Sequence, residues 1–256
     1  MIGRMNAKLS SAMAPAIVIP GAWTRAAAFD DVADAMRDGG YPAEIIELPA
    51  RGSRLAQLDR GGLAAIDAVL DERIAHLDEP PILVGHSLGG LMALRASRRN
   101  DVRALVLLMP APPTGLWPVV LPDAVRHPRN AIRMVGTAFS VTLGIRLGFG
   151  APDGLYSSSA TAEDFARGAA FRSDESWALL AATLFGSREA VRPAGVPTLV
   201  VAGNQDRFTP TRVLRPLADA LDAELLEFDV AHAFNEEPTY RVVTDAVIDF
   251  LARSSP

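Results

Sequence analysis

The stretch Gly85-His86-Ser87-Leu88-Gly89 limits what this chain can fold into more than any other. It follows a short apolar run, Pro81-Ile82-Leu83-Val84, that suits a buried strand. It opens a small-residue segment, Leu88 to Ser97, that suits a helix. Strand, G-x-S-x-G, helix is the context in which this pentapeptide makes a sharp turn and lifts a serine above the edge of a sheet. A Cβ at position 85 or 89 would meet the neighbouring strand or helix, so glycine stands at both. The serine Oγ is then exposed, and the N–H of the next residue points to where a reacting oxygen sits. The stretch therefore implies attack by Ser87 on a carbonyl carbon.

The rest of the chain supplies a sheet for that turn. Ala16-Ile17-Val18-Ile19 is a short β-rich run ending in Pro20-Gly21. Phe29 to Gly39 has helical apolar spacing and stops at Gly39-Gly40. Residues 43–48 predict a second strand, followed by a loop over 49–54, and Leu63 to Leu77 a second helix. Further strands are predicted over 102–108, 196–202 and 224–228, with helices over Pro210–Leu221 and Glu237–Ala252. Strands alternating with helices argue a doubly wound, mostly parallel α/β sheet. The alternation breaks from Pro110 to Gly195, where no strand pattern stands out and helical patches fall near 131–139 and 174–185. Structureless loops beyond ~15 residues are uncommon, so this excursion reads as an inserted helical cap. The division is then a flexible tail over 1–15, a first core part over 16–110, the cap over 111–195 and a second core part over 196–256.

Composition removes whole classes of chemistry. There is no cysteine, which excludes disulfides, thiolate metal sites and cysteine nucleophiles. Net charge is −5 with no basic block, which argues against nucleic acid as a partner. No apolar run reaches the ~20 residues of a membrane-spanning helix. The first fifteen residues lack the apolar core of a signal peptide, so the cytoplasm is the default location. Oligomeric state is open.

A serine hydroxyl needs a base within hydrogen-bond reach, and the base needs an acid to fix its tautomer. Of the four histidines, His232 lies just after the last predicted strand, where α/β proteins present working groups. Asp206 lies just after the preceding strand, and the order Ser87, Asp206, His232 is that of a nucleophile-elbow enzyme. Asp222 and Asp229 are the rival acids. His86 reads as a packing residue, His76 as a solvated helix residue, and His127 as a surface group or a substrate contact. The oxyanion of the tetrahedral intermediate needs two preorganised N–H donors. Leu88 N–H is one candidate, and Ala22 N–H, in the loop Pro20-Gly21-Ala22-Trp23, is the other. Trp23 is either a substrate-binding pocket wall or a core aromatic. Asn235, in Asn235-Glu236-Glu237-Pro238, reads as a helix N-cap, and the acids beside it lack companions for a metal site.

Three separated motifs, Pro20-Gly21-Ala22-Trp23, Gly85-His86-Ser87-Leu88-Gly89-Gly90 and the pair Asp206 with His232, give the chain its resemblance to the α/β-hydrolase superfamily, in its capped serine-esterase branch. The likeness covers the chain outside the tail and the cap. It implies an acyl-enzyme on Ser87, no cofactor and no metal, and a small-molecule ester, lactone or thioester as substrate. The cap is rich in Leu, Val, Ala, Phe and Gly, which favours a modest-sized, mostly apolar substrate. Two departures stand out. Pro20 occupies the place where the family usually carries histidine, and the short N-terminus leaves no room for the family's first strand pair.

Thioesterase or cyclase action on a carrier-bound acyl chain and C–C bond hydrolysis share the same triad and stay open. So does a ligand receptor that keeps the hydrolase shell. Aspartate-nucleophile chemistry does not fit serine at position 87. Hydroxynitrile lyases of this branch use an active-site lysine, and the only lysine, Lys8, is in the tail. Malonyl-type acyltransferases carry a similar turn but not this late Asp and His order.

Overall fold

The computed structural model describes residues 13–48, 62–142, 150–187 and 191–254. Six strands, β1 (Ala16–Ile19), β2 (Ala43–Ile45), β3 (Ile82–His86), β4 (Ala104–Leu108), β5 (Thr198–Gly203) and β6 (Glu224–Phe228), form one sheet in the order β2-β1-β3-β4-β5-β6. All five pairings are parallel. β1, β3, β4 and β5 are buried throughout, as expected of parallel strands covered on both faces, and only the edge strands β2 and β6 show partial exposure.

The two-residue period of a strand sorts its side chains onto two cores. Ile17, Leu83, Leu105, Leu107 and Val200 face α2 (Leu63–Ala75), α3 (Leu88–Ala96) and α8 (Thr211–Leu221). Val18, Ile82, Val84, Val106 and Val201 face α1 (Asp30–Asp38) and α9 (Tyr240–Ser254). From β1 the chain runs outward to β2, then crosses back to β3 on the other side. Strand direction of travel therefore switches between β1 and β3, the place where open α/β sheets bind ligands. Ile19 pairs with Gly85, so the loop leaving β1 and the turn leaving β3 emerge side by side.

Between β4 and β5 the described residues form four helices and no ladder strand. They are α4 (Trp117–Arg126), α5 (Pro128–Thr142), α6 (Ala162–Phe171) and α7 (Trp177–Phe185). The spacing anticipates α5 and α7; α4 and α6 are additions.

Two elements are shorter or later than the sequence predicts. Only residues 43–45 of the 43–48 run form β2, because β1 ends at Pro20, which has no N–H to extend the ladder. The last helix begins at Tyr240, not Glu237. Glu237 precedes Pro238 and takes an extended backbone, as pre-proline residues do. Asn235 is therefore not the N-cap. It sits in a short 3-10 turn and its Nδ2 donates to Ala28 O at 3.0 Å, tying the loop after β6 to the 3-10 turn that precedes α1. Of the segment read as a tail, residues 1–12 lie outside the described residues, while Pro15 O already accepts the Ile82 N–H. The loop predicted over 49–54 also lies outside them.

Candidate active site

Ser87 follows β3 directly and takes φ 52°, ψ −119°, a left-handed conformation that a serine rarely adopts. The backbone holds it there from both sides. Its N–H donates to Leu108 O at 3.0 Å, and its carbonyl accepts from Gly90, Leu91 and Ala111. The steric need for glycine is real: a Cβ on Gly85 would run into the Gly89 carbonyl, and one on Gly89 into the Ile19 carbonyl. Leu88 is the first residue of α3, so its N–H lies at the helix's positive end without an intrahelical acceptor.

Ser87, His232 and Asp206 form one hydrogen-bonded array. Ser87 Oγ lies 2.9 Å from His232 Nε2, and His232 Nδ1 lies 2.7 Å from Asp206 Oδ2. All three side chains are buried. Burial alone would raise the Asp206 carboxyl. The charge and hydrogen bond of His232, with the N–H and hydroxyl of Thr209, outweigh it and hold the group below its ordinary range. An ionised carboxylate can only accept, so His232 donates to it from Nδ1, and Nε2 is the nitrogen that faces the serine hydroxyl. Phe208 stacks on the imidazole, with ring centroids 5.0 Å apart. The backbone reinforces the arrangement, since Phe208 N–H also donates to Asp206 Oδ1 at 2.7 Å.

The other candidates sort as their surroundings dictate. Asp229 is exposed and accepts from Gln205 Nε2 at 2.9 Å, and Asp222 is an exposed left-handed cap on α8, so neither meets His232. His76 and His127 are exposed at helix ends. His86 is buried between Phe29, Phe234 and His232, and its Nε2–H donates to His232 O at 2.9 Å. Burial, aided by the His232 charge, pushes its pKa down to about 3, so it stays neutral and braces His232 through the backbone. Trp23 and Ala22 both line the cavity, and Gly21 packs against His86 and Ser87.

That cavity holds about 310 Å³. Ser87 and His232 line it from the sheet; Val120, Met134, Phe139, Trp177, Leu180 and Leu184 line it from the insertion. The surface is mostly apolar; its polar members include Ser87, His232, Asp123, Asn235 and the Arg172–Glu236 pair, in which the guanidinium bonds both carboxylate oxygens at 2.5 and 2.8 Å. Tyr156 Oη donates to the same carboxylate at 2.5 Å, and burial, with Glu236 beside it, keeps the phenol protonated far above its usual range. Sequence reasoning missed this cluster. Its members lie 16 to 80 positions apart and share no local motif. Among the described residues no group of His, Asp and Glu could hold a metal ion, and no helix is long and apolar enough to cross a membrane.

A model of the alpha/beta hydrolase family matches residues 16–246, and the chain belongs to that family. Its structure is similar to a monoacylglycerol lipase from Paleococcus ferrophilus, at 20% identity and a TM-score of 0.66, over 94% of this chain and 96% of that one. An esterase from Exiguobacterium antarcticum matches at 13% identity and a TM-score of 0.71, over 94% and 92% of the two chains. An enol-lactonase from Burkholderia xenovorans LB400 matches at 20% identity and a TM-score of 0.62, over 94% and 92%. Identities this low carry the fold alone. None of the curated protein sequences matches the chain.

Proposed function

We propose that the protein is a serine hydrolase that cleaves a carboxylic ester or lactone of a small to medium, mostly apolar molecule through an acyl-enzyme on Ser87. The observation that carries this reading is the continuous array Ser87 Oγ, His232, Asp206 opening into an apolar cavity. His232 Nε2 takes the hydroxyl proton as Ser87 Oγ bonds to the carbonyl carbon, and the carbonyl electrons move onto oxygen. Ala22 and Leu88 N–H groups stabilise that oxyanion. Among the described residues neither has another hydrogen-bond partner, so both donors are uncommitted. The intermediate collapses, the alkoxide leaves with the proton from His232, and a water deprotonated by the same nitrogen then releases the acid and restores the Ser87 hydroxyl. Asp206 stays ionised throughout and supports the imidazolium. No step requires a cofactor.

Residues 111–195 act as the cap over a core made of 16–110 and 196–256, and Trp23 is a wall of the substrate pocket. The test is hydrolysis of p-nitrophenyl esters from acetate to decanoate by the wild type and Ser87→Ala. The expected result is wild-type turnover with a maximum at a chain length the cavity admits, and loss of about a thousandfold or more in the variant. Equal activity in Ser87→Ala would refute the mechanism.

A further inference from the structure

The turn that carries Ala22 is held in part by the insertion. Pro20 offers neither an N–H nor a polar side chain. Trp23 sits at φ 56°, where a bulky residue persists only if its surroundings impose the conformation. Part of those surroundings comes from the insertion. Ser173 N–H donates to Trp23 O at 2.9 Å, and Arg25 N–H donates to Phe171 O at 3.0 Å, on either side of an antiparallel bridge between Thr24 and Arg172. Beyond that bridge the Trp23 N–H donates to Glu175 Oε2 at 3.2 Å, while Glu175 Oε1 accepts the Ser176 N–H at 3.0 Å. Glu175 is only 1% exposed. Within the turn, Thr24 Oγ1 donates to Ala22 O at 3.1 Å and fixes the same peptide plane from its other edge.

The strip 171–175 is anchored in turn to the loop that bears the base. Arg172 bonds Glu236, four residues after His232, and Arg172 Nη2 also donates to Tyr156 Oη at 2.9 Å. Arg167 Nη2 donates to Glu236 O at 2.6 Å. One short segment of the insertion thus touches the backbone on both sides of the reacting serine.

We propose that Glu175 is a positioning residue: from the insertion, its carboxylate claims the Trp23 N–H and sets the turn so that Ala22 N–H is the one left to meet the oxyanion. This rests on the serine-hydrolase reading of the site. Committing Trp23 N–H to a buried carboxylate fixes the peptide between Ala22 and Trp23, and with it the direction of the preceding amide. The substrate carbonyl gains little from that amide before attack. A misaimed Ala22 N–H therefore lowers kcat and leaves KM nearly unchanged. Glu175 exchanges no proton in the reaction, so the pH–rate profile keeps its shape.

The experiment compares wild type, Ser87→Ala, Glu175→Gln and Glu175→Ala on p-nitrophenyl butyrate, with melting temperatures and amide hydrogen exchange at Trp23. Glu175→Gln keeps the volume but turns one acceptor oxygen into a donor, so it guards against a Glu175→Ala protein that fails to fold. The expected result is a kcat about tenfold to a hundredfold lower in the Glu175 variants, below the ~10²–10³ of deleting a donor outright. KM should stay within about twofold, the pH profile should be unshifted, and the Trp23 amide should exchange faster. Wild-type kcat in both Glu175 variants, with Ser87→Ala inactive, would overturn the brace alone. A loss that falls in KM with kcat intact would overturn it too. Turnover that persists in Ser87→Ala would overturn the serine reading, and the catalytic role of the brace with it.

Discussion

The central strands β1, β3, β4 and β5 bury every residue, whereas the insertion leaves large apolar side chains in the open, with Val125 76% and Val135 and Phe185 each 66% exposed. The strands are locked to one another by parallel register, so the loops at their carboxyl ends have few ways to move. Ser87 and Asp206 stand on such loops and His232 on the loop after the edge strand β6, and their contacts run between 2.7 and 2.9 Å. The helices of the insertion are nine to fifteen residues long, and three of them, α4, α5 and α7, send side chains into the cavity. Precision belongs to the sheet, and shape belongs to the insertion. A change on the sheet side should therefore alter rate for every substrate, and a change among the cavity-lining side chains of the insertion, Glu175 apart, should alter which substrate is preferred.

Asp206→Asn gives the larger effect. An amide can donate to His232 Nδ1 and hold the wrong tautomer, so kcat should fall by roughly 10⁴ for all chain lengths alike. Stopped-flow release of p-nitrophenol measures it, and a loss confined to long esters would break the division of labour. Leu180→Trp gives the smaller one. Leu180 lines the cavity from α7, and the added volume should lower kcat/KM for decanoate by about tenfold to a hundredfold. The same variant should leave acetate nearly untouched, and competition between the two esters in one reaction reads the ratio directly. A uniform loss would mean that the insertion also governs the chemistry through more than Glu175.

The two regions also differ in how far they can be read from the chain. The central strands declare themselves because a parallel core demands short unbroken apolar runs, and Ser87 and Asp206 each follow one, while His232 follows the edge strand β6. Loop position favours Asp206 over Asp229 in the sequence, and the fold separates the two, with Asp229 turned outward to Gln205. The insertion hides its elements. α4 contains Pro118 and Pro122, which argue against a helix in any local reading, yet proline is tolerated in a first turn and the interior one is absorbed. α6 does carry a local sign, a capping box in which Thr161 and Asp164 bond each other's backbone N–H groups. Glu175 carries none. Its partner is 152 positions away, so its place beneath Trp23 follows from tertiary packing alone.

The central claim is the covalent one, and trapping the intermediate tests it most directly. The protein would be mixed with p-nitrophenyl hexanoate, quenched in acid within the first turnover, digested and weighed by mass spectrometry. The account predicts a burst of one p-nitrophenol per chain and a hexanoyl mass increment on the peptide containing Ser87, absent in Ser87→Ala. Ester turnover with the acyl group found on another residue, or a burst that persists in Ser87→Ala, would contradict it.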